Sequence, residues 1–136
     1  LVETRVMLEL QTARLAAERR TPDDLVENQS ALEAYDQKVS NGQPSVEEDL
    51  LFHLSIADAS KNGVLKSLMM VITPDIIANH VKYRVCDDNQ EMKAYYEHKK
   101  ILDHIHNQDV GAVEEAMRRH LNDVIQFSES MHSPKL

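Results

Sequence analysis

An aspartate and a histidine lie four positions apart inside an apolar stretch of this sequence. They are Asp49 and His53, in the segment EEDLLFHLSIADAS, residues 47–60. Residues four apart lie on one face of an α-helix, one turn from each other. A carboxylate and an imidazole that face the same way among core-forming side chains indicate a buried hydrogen-bonded pair or part of a ligand site.

Histidine also takes the place of an apolar residue in two further helical patterns. The apolar stripe of residues 110–132 runs in steps of four, seven, three and four residues, and the member missing from it is His120. The stripe of residues 90–106 lacks its member at His98, as the stripe of residues 46–57 does at His53. Each of three helices is therefore expected to point one imidazole inward.

A shared metal ion would satisfy these inward polar groups together. A buried polar group without a partner costs about 1–3 kcal/mol. Imidazole nitrogen and carboxylate oxygen are typical ligands of zinc and also suit nickel, manganese or iron. The expected ligands of one divalent transition metal, with zinc as the first candidate, are Asp49, His53, His98 and His120.

Two other interpretations of these residues stay open. Each histidine taken singly fits a hydrogen-bonded core residue, which would make the protein a purely structural helical bundle. A mononuclear metalloenzyme would use the same ligands. The sequence shows no general base beside the metal, because Glu97 adjoins His98 but points about 100° away around the helix. We therefore expect no enzymatic activity.

Helices must position these residues, since the sequence has no sustained period-two alternation. Caps, Pro and Gly signals delimit the helices. The predicted segments are 2–20, 21–40 after a Thr21-Pro22 start, 45–60 after a Ser45/Glu48 capping box, 64–72, 73–85 after Thr73-Pro74-Asp75, 90–106, and 110–132 capped by Asp109. The fold class predicted is all-α, an antiparallel bundle of six or seven helices with short connections.

Length and composition are typical of one globular domain, predicted to span residues 1–136. The formal net charge of -8 makes the domain a poor partner for a phosphate backbone. No apolar run reaches the roughly 20 residues of a membrane span, and the lone Cys86 favours a reducing, cytoplasmic setting. The helical pattern from a first residue that is not Met suggests part of a longer protein.

Several motifs together resemble a family of bacterial regulators. They are Glu3-x-Arg5 with Leu15-Ala16-Ala17, Asp49-x3-His53, Glu97-His98 with Ile101-Leu102, and Met117-Arg118-Arg119-His120-Leu121. Over nearly the whole chain they resemble the C-terminal effector-binding domain, the FCD type, of the FadR branch of GntR-family transcription regulators.

The resemblance implies an all-α bundle of six or seven helices, which many members use to hold a metal through one Asp and three His. The matching positions are the four residues already selected. The family's effectors are typically small carboxylates such as lactate, citrate, gluconate and uronates. The branch that binds acyl-CoA lacks the metal residues, so their presence argues against an acyl-CoA ligand.

The resemblance also implies partners for the whole regulator. The family carries an N-terminal winged helix-turn-helix domain that binds operator DNA as a homodimer, and this chain does not contain that domain. DNA binding is thus expected only through the missing domain, with a small carboxylate as the effector of the present one and no membrane partner.

Three residues are candidates for effector binding. Arg5 matches an arginine that the family places at the pocket, and its guanidinium would hold a carboxylate by paired hydrogen bonds. Arg84 ends a predicted helix that leads toward the site. Asn62 matches the family's asparagine, although it also fits the cap of the next helix.

Overall fold

A computed structural model describes the backbone of residues 2–82 and 88–132. These residues form six α-helices in the order α1 (Val2–Arg19), α2 (Pro22–Ser40), α3 (Val46–Ala59), α4 (Gly63–Lys82), α5 (Asp88–His106) and α6 (Val110–His132). The described residues contain no strand. The predicted all-α bundle is confirmed, and the described ranges hold six helices rather than seven.

Helix α1 lies at the centre of the bundle, where it packs against α3, α4, α5 and α6. Its residues Ala13, Ala16 and Ala17 are fully buried. Small side chains allow neighbouring helices to approach closely, so the surrounding helices hold α1 on several sides. The rest of the apolar core comes from the other helices: Leu32, Phe52, Ile56, Ala59, Ile101, Leu102, Ile105, Val113, Met117 and Leu121.

The capping signals read from the sequence are present at the starts of two helices, α2 and α6. The Thr21 hydroxyl accepts a hydrogen bond from the Asp24 amide at 3.1 Å, and the Asp24 carboxylate accepts one from the Thr21 amide at 2.8 Å. Asp109 accepts from the Ala112 amide at 3.1 Å at the start of α6. These caps satisfy backbone donors that have no partner within the helix. The predicted starts of α2 and α6 are therefore confirmed.

The predicted helix start at Thr73-Pro74 is wrong. Helix α4 runs through both residues without a break, with Pro74 in its interior. Thr73 is fully buried, and its hydroxyl donates to the Met69 sulfur at 3.8 Å instead of capping a new helix. Packing of α4 against α1 and α3 holds the helix together although proline removes one of its hydrogen bonds.

Two smaller predictions of helix ends also differ from the structure. Ser45 precedes α3, but its side chain makes no capping hydrogen bond, and its ψ of 16° departs from the extended backbone that presents a capping oxygen. Helix α5 begins at Asp88, two residues before the predicted start at residue 90. Within the described ranges, no helix combines the length and apolarity needed to cross a bilayer.

Candidate metal centre

Three imidazoles from three helices meet inside the bundle. His53 of α3, His98 of α5 and His120 of α6 are each at most 2% exposed. One side-chain nitrogen from each ring lies within 4.8 Å of the others. The core places them there, because each histidine continues the apolar stripe by which its helix packs. This separation allows all three rings to bind a single ion.

The Asp49 carboxylate lies beside two of these imidazoles. Its Oδ1 is 3.4 Å from Nε2 of His53, one turn along α3, and 3.2 Å from Nε2 of His98 on α5. The side chain of Asp49 is 31% exposed, whereas those of His53 and His98 are buried. The carboxylate therefore lies at the side of the cluster that faces solvent.

Several buried nitrogens of the cluster lack a hydrogen-bond partner among the described residues. They are Nε2 of His53 and both ring nitrogens of His98. The contacts of Asp49 at 3.2 and 3.4 Å are close enough for an ion pair but do not form hydrogen bonds. Such atoms cost about 1–3 kcal/mol each when they stay unpartnered. One nitrogen lone pair from each of the three rings, together with an oxygen of Asp49, would form a donor set that fits a divalent transition metal.

Two further carboxylates contact the outer side of the imidazoles. Nδ1 of His53 is hydrogen-bonded to Oε1 of Glu9, and Nδ1 of His120 lies 3.1 Å from Oε1 of Glu97. A neutral imidazole that donates from Nδ1 keeps the lone pair on Nε2 for a metal. Both carboxylates are thus placed to orient the imidazoles of His53 and His120 without occupying the space between the three rings.

Sequence reasoning missed both outer carboxylates. Glu97 does point away from His98, but that direction brings it to His120 on the neighbouring α6. Glu9 lies one turn after Arg5 on α1, and this spacing of opposite charges was the available signal. On an isolated helix the same pair would be an ordinary surface ion pair.

Burial and neighbouring charges have opposite effects on the pKa values of Glu9 and His53. Burial raises the pKa of Glu9, but the positive charges and hydrogen bonds of His53 and Arg5 outweigh burial and bring it to about 2. Burial lowers the pKa of His53, but Glu9 and Asp49 outweigh it and raise the value to about 9. Glu9 is therefore ionised, with His53 and Arg5 as its positive partners.

The other two imidazoles are neutral near pH 7. Burial lowers the pKa of His98, and it lowers that of His120 to about 4 despite the hydrogen bond with Glu97. Burial also opposes ionisation of Asp49, but the nearby imidazoles of His53 and His98 hold its pKa well below the usual range. Neutral imidazoles and an ionised carboxylate are the forms in which these groups bind metals.

The three candidate effector residues have different environments. Arg5 is 5% exposed, and its Nε donates to Oε2 of Glu9 at 2.6 Å, which places Arg5 beside the three imidazoles. The side-chain oxygen of Asn62 accepts from the Leu65 amide at 3.1 Å and caps α4. Arg84 lies outside the described residues.

Comparison with known proteins defines the class of this chain. The model of the FCD domain family matches residues 1–123. The chain belongs to the FCD domain family, the ligand-sensing regulatory domains of GntR-family transcription regulators. The predicted resemblance to these regulators is confirmed.

Individual relatives are regulators of roughly twice this length. The chain is 33% identical to the HTH-type transcriptional regulator LutR of Bacillus subtilis (strain 168), covering 91% of this chain and 58% of that protein. It is 31% identical to the Uxu operon transcriptional regulator of Escherichia coli (strain K12), covering 93% and 51%. It is 32% identical to the galactonate operon transcriptional repressor of the same strain, covering 84% and 50%. The chain thus spans only about half the length of these relatives.

Solved structures share the fold. Streptococcus agalactiae GntR superposes with a TM-score of 0.82 at 27% identity, over 93% of this chain and 56% of that one. Escherichia coli McbR/YncC superposes with a TM-score of 0.85 at 21% identity, over 96% and 63%, and this likeness concerns the fold alone.

Proposed function

We propose that this domain binds one divalent transition metal and a small organic acid, and that acid binding controls a DNA-binding domain elsewhere in the same protein. The proposed metal ligands are Asp49, His53, His98 and His120, with zinc as the first candidate and nickel, manganese or iron as alternatives. The observation that carries the proposal is the cluster of three buried imidazoles whose nitrogens lie within 4.8 Å of one another.

The surroundings of the imidazoles favour a fixed site. The ring of Phe52 stacks on His98 with ring centres 4.5 Å apart, and Tyr35 packs edge-on against it at 4.8 Å. Glu9 and Glu97 hold the outer nitrogens of the other two rings. The chain therefore restricts ring rotation and excludes water from the inner side of the cluster, which reduces the entropy cost of binding an ion.

The acid would bind from the side of Asp49, where the cluster meets solvent. A bound divalent ion would keep positive charge there. The three imidazoles are neutral, and the single carboxylate cancels only one of the two charges of the ion. Arg5 is the first candidate for a second contact. The Nε of Arg5 donates to Glu9, and Arg5 makes no other hydrogen bond in the described part of the chain. The terminal nitrogens would hold a carboxylate.

The class of acid is a hydroxycarboxylate or sugar acid. One relative is named for the galactonate operon, and galactonate is a sugar acid. Its carboxylate and adjacent hydroxyl suit a metal with an arginine nearby. Arg84 is kept as a second candidate contact. Asn62 is a weaker one, because its side-chain oxygen already caps α4.

The proposed role requires the rest of the protein. The relative LutR is named as a helix-turn-helix regulator, which supports operator binding through such a domain in the whole protein. We propose that the whole protein acts in the cytoplasm as a homodimer. Acid binding would favour one arrangement of the bundle and thereby change the spacing or mobility of the DNA-binding domains.

A regulatory role is favoured over catalysis. The named relatives are transcription regulators. Among the described residues, the three carboxylates that contact the imidazoles, Glu9, Asp49 and Glu97, each do so within ion-pair distance. This leaves none of them as an uncommitted general base.

The test combines metal analysis with a ligand screen. Protein purified without an affinity tag is expected to contain about one equivalent of metal, to lose it to a chelator and to regain it with zinc or nickel. Galactonate, gluconate, lactate and citrate are then screened by thermal shift. At least one acid should raise the melting temperature of loaded protein and not of stripped protein. Metal far below one equivalent with no refilling would contradict the proposal.

A further inference from the structure

Glu9 is a carboxylate buried in the interior of the bundle and shared between two cationic or proton-donating partners. It is 1% exposed. Its Oε2 accepts from Nε of Arg5 at 2.6 Å, and its Oε1 is hydrogen-bonded to Nδ1 of His53. Glu9 and Arg5 belong to α1, whereas His53 belongs to α3. One side chain thus joins the proposed acid contact to a proposed metal ligand.

We propose that Glu9 is a positioning residue that keeps a proton on Nδ1 of His53, so that Nε2 is the nitrogen left for a metal, and that orients Arg5 toward the acid. The inference rests on the proposed metal and acid site. Glu9 touches His53 on the ring nitrogen opposite the cluster, so it acts on the metal through that ring and is not itself a ligand.

Only an ionised carboxylate fits both contacts of Glu9 at once. Arg5 Nε and His53 Nδ1 both donate, so the residue between them must present two acceptors. Glutamine has almost the same shape but offers one acceptor and one N–H donor. If that donor faces His53, the ring proton moves to Nε2, the atom needed for the metal. If it faces Arg5, two N–H groups oppose each other in the interior.

The three imidazoles depend on carboxylates to different degrees. His120 is oriented by Glu97, whose side chain is 16% exposed, so water can replace it. The ring of His98 is held by stacking on Phe52. Glu9 is buried, and water has little access to its place. Loss of Glu9 is therefore expected to weaken metal binding more than loss of Glu97.

The first experiment compares E9Q and E97Q with E18Q in the full chain. E18Q removes the same charge from an exposed position of α1. Zinc affinity is measured by competition with a chelator, and the Nδ1 proton of His53 is followed by NMR in zinc-loaded protein. E9Q should bind zinc about 10–100-fold more weakly and lose the slowly exchanging Nδ1 signal, with a smaller loss in E97Q and none in E18Q.

A second pair of variants keeps the test valid if E9Q does not fold. R5M/E9Q and R5M/E9L both remove the buried charges, and they differ in whether residue 9 can accept a hydrogen bond from His53. The glutamine variant should bind zinc at least tenfold more tightly than the leucine variant and should retain the Nδ1 signal. A purely structural role predicts equal zinc affinities in this pair.

The outcomes separate this inference from the function on which it rests. Wild-type protein that binds no zinc would overturn the proposed metal site itself. Wild-type protein that binds zinc, with E9Q unchanged in affinity and in the Nδ1 signal, would overturn only the role of Glu9. Equal zinc affinity in the two double variants would also overturn that role.

Discussion

The Asp49 carboxylate lies 3.2 Å from Nε2 of His98 although the two residues belong to different helices, α3 and α5. The same oxygen lies 3.4 Å from His53 on its own helix. Asp49 therefore joins a local helical pair to a tertiary contact. This relationship makes the proposed centre sensitive to the packing of α5 against the rest of the bundle, because a shift of α5 would separate the ligands.

Removing one imidazole should weaken metal binding strongly. His98→Ala and His120→Ala each delete one of the four proposed ligands. Loss of a residue that only hydrogen-bonds a ligand weakens metal affinity about 10–100-fold, so these two variants should lose more than that. The measurement is zinc affinity by chelator competition, together with metal content after purification. His106→Ala, at an exposed position of α5, is the control and should bind zinc as wild type does. Equal behaviour of all three variants would disprove the assignment of ligands.

Removing Arg5 should affect the acid rather than the metal. The Arg5 guanidinium takes no part in the hydrogen bond between Glu9 and His53. The metal content of Arg5→Ala should therefore stay near one equivalent. The acid loses a charge-assisted contact worth about 1.5–3 kcal/mol, which corresponds to roughly 10–150-fold in affinity. Calorimetric titration of the acid found in the thermal-shift screen measures this loss. Release of the metal by this substitution would contradict the proposed division of roles.

The ion pair at the start of α2 should make stability depend on pH. Burial raises the pKa of Asp24, but hydrogen bonds from Lys61 and Thr21 outweigh it, so the net shift is downward. A carboxylate with a lowered folded-state pKa adds stability above its unfolded value of about 3.9, and this stability is lost as pH falls through the folded value.

Urea unfolding of metal-stripped protein tests this prediction. Asp24→Asn should lower the free energy of unfolding at pH 7 by about 0.2–1 kcal/mol, because asparagine keeps the capping oxygen and loses only the ion pair with Lys61. The difference between wild type and variant should shrink as pH falls below about 4. Asp23→Asn, at an exposed neighbouring position, is the matched control. A difference that stays constant down to acid pH would show that ionisation of Asp24 does not stabilise the fold.

Local periodicity was enough to predict the inward direction of the three imidazoles, since His53, His98 and His120 each complete an apolar stripe. It could not predict the role of Glu9, because the burial of that residue depends on the central position of α1 among four other helices. Glu97 was misjudged for a related reason. Its direction was predicted relative to its own helix, whereas its partner lies on α6.

Replacement of Pro74 should stabilise the protein, because the structure places this residue inside α4. Alanine would restore a backbone donor and relieve the clash of the ring with the preceding turn, which together cost about 3 kcal/mol in a helix interior. The flexibility that alanine adds to the unfolded chain offsets about 0.4–1 kcal/mol. Pro74→Ala should therefore raise the free energy of unfolding, measured by urea denaturation, by up to about 2 kcal/mol.

Ser67→Ala, at an exposed position of the same helix, is the control. It gains no hydrogen bond and should change the free energy of unfolding by less than about 0.5 kcal/mol. A destabilised Pro74→Ala would mean that the chain needs a break in the helix at this residue.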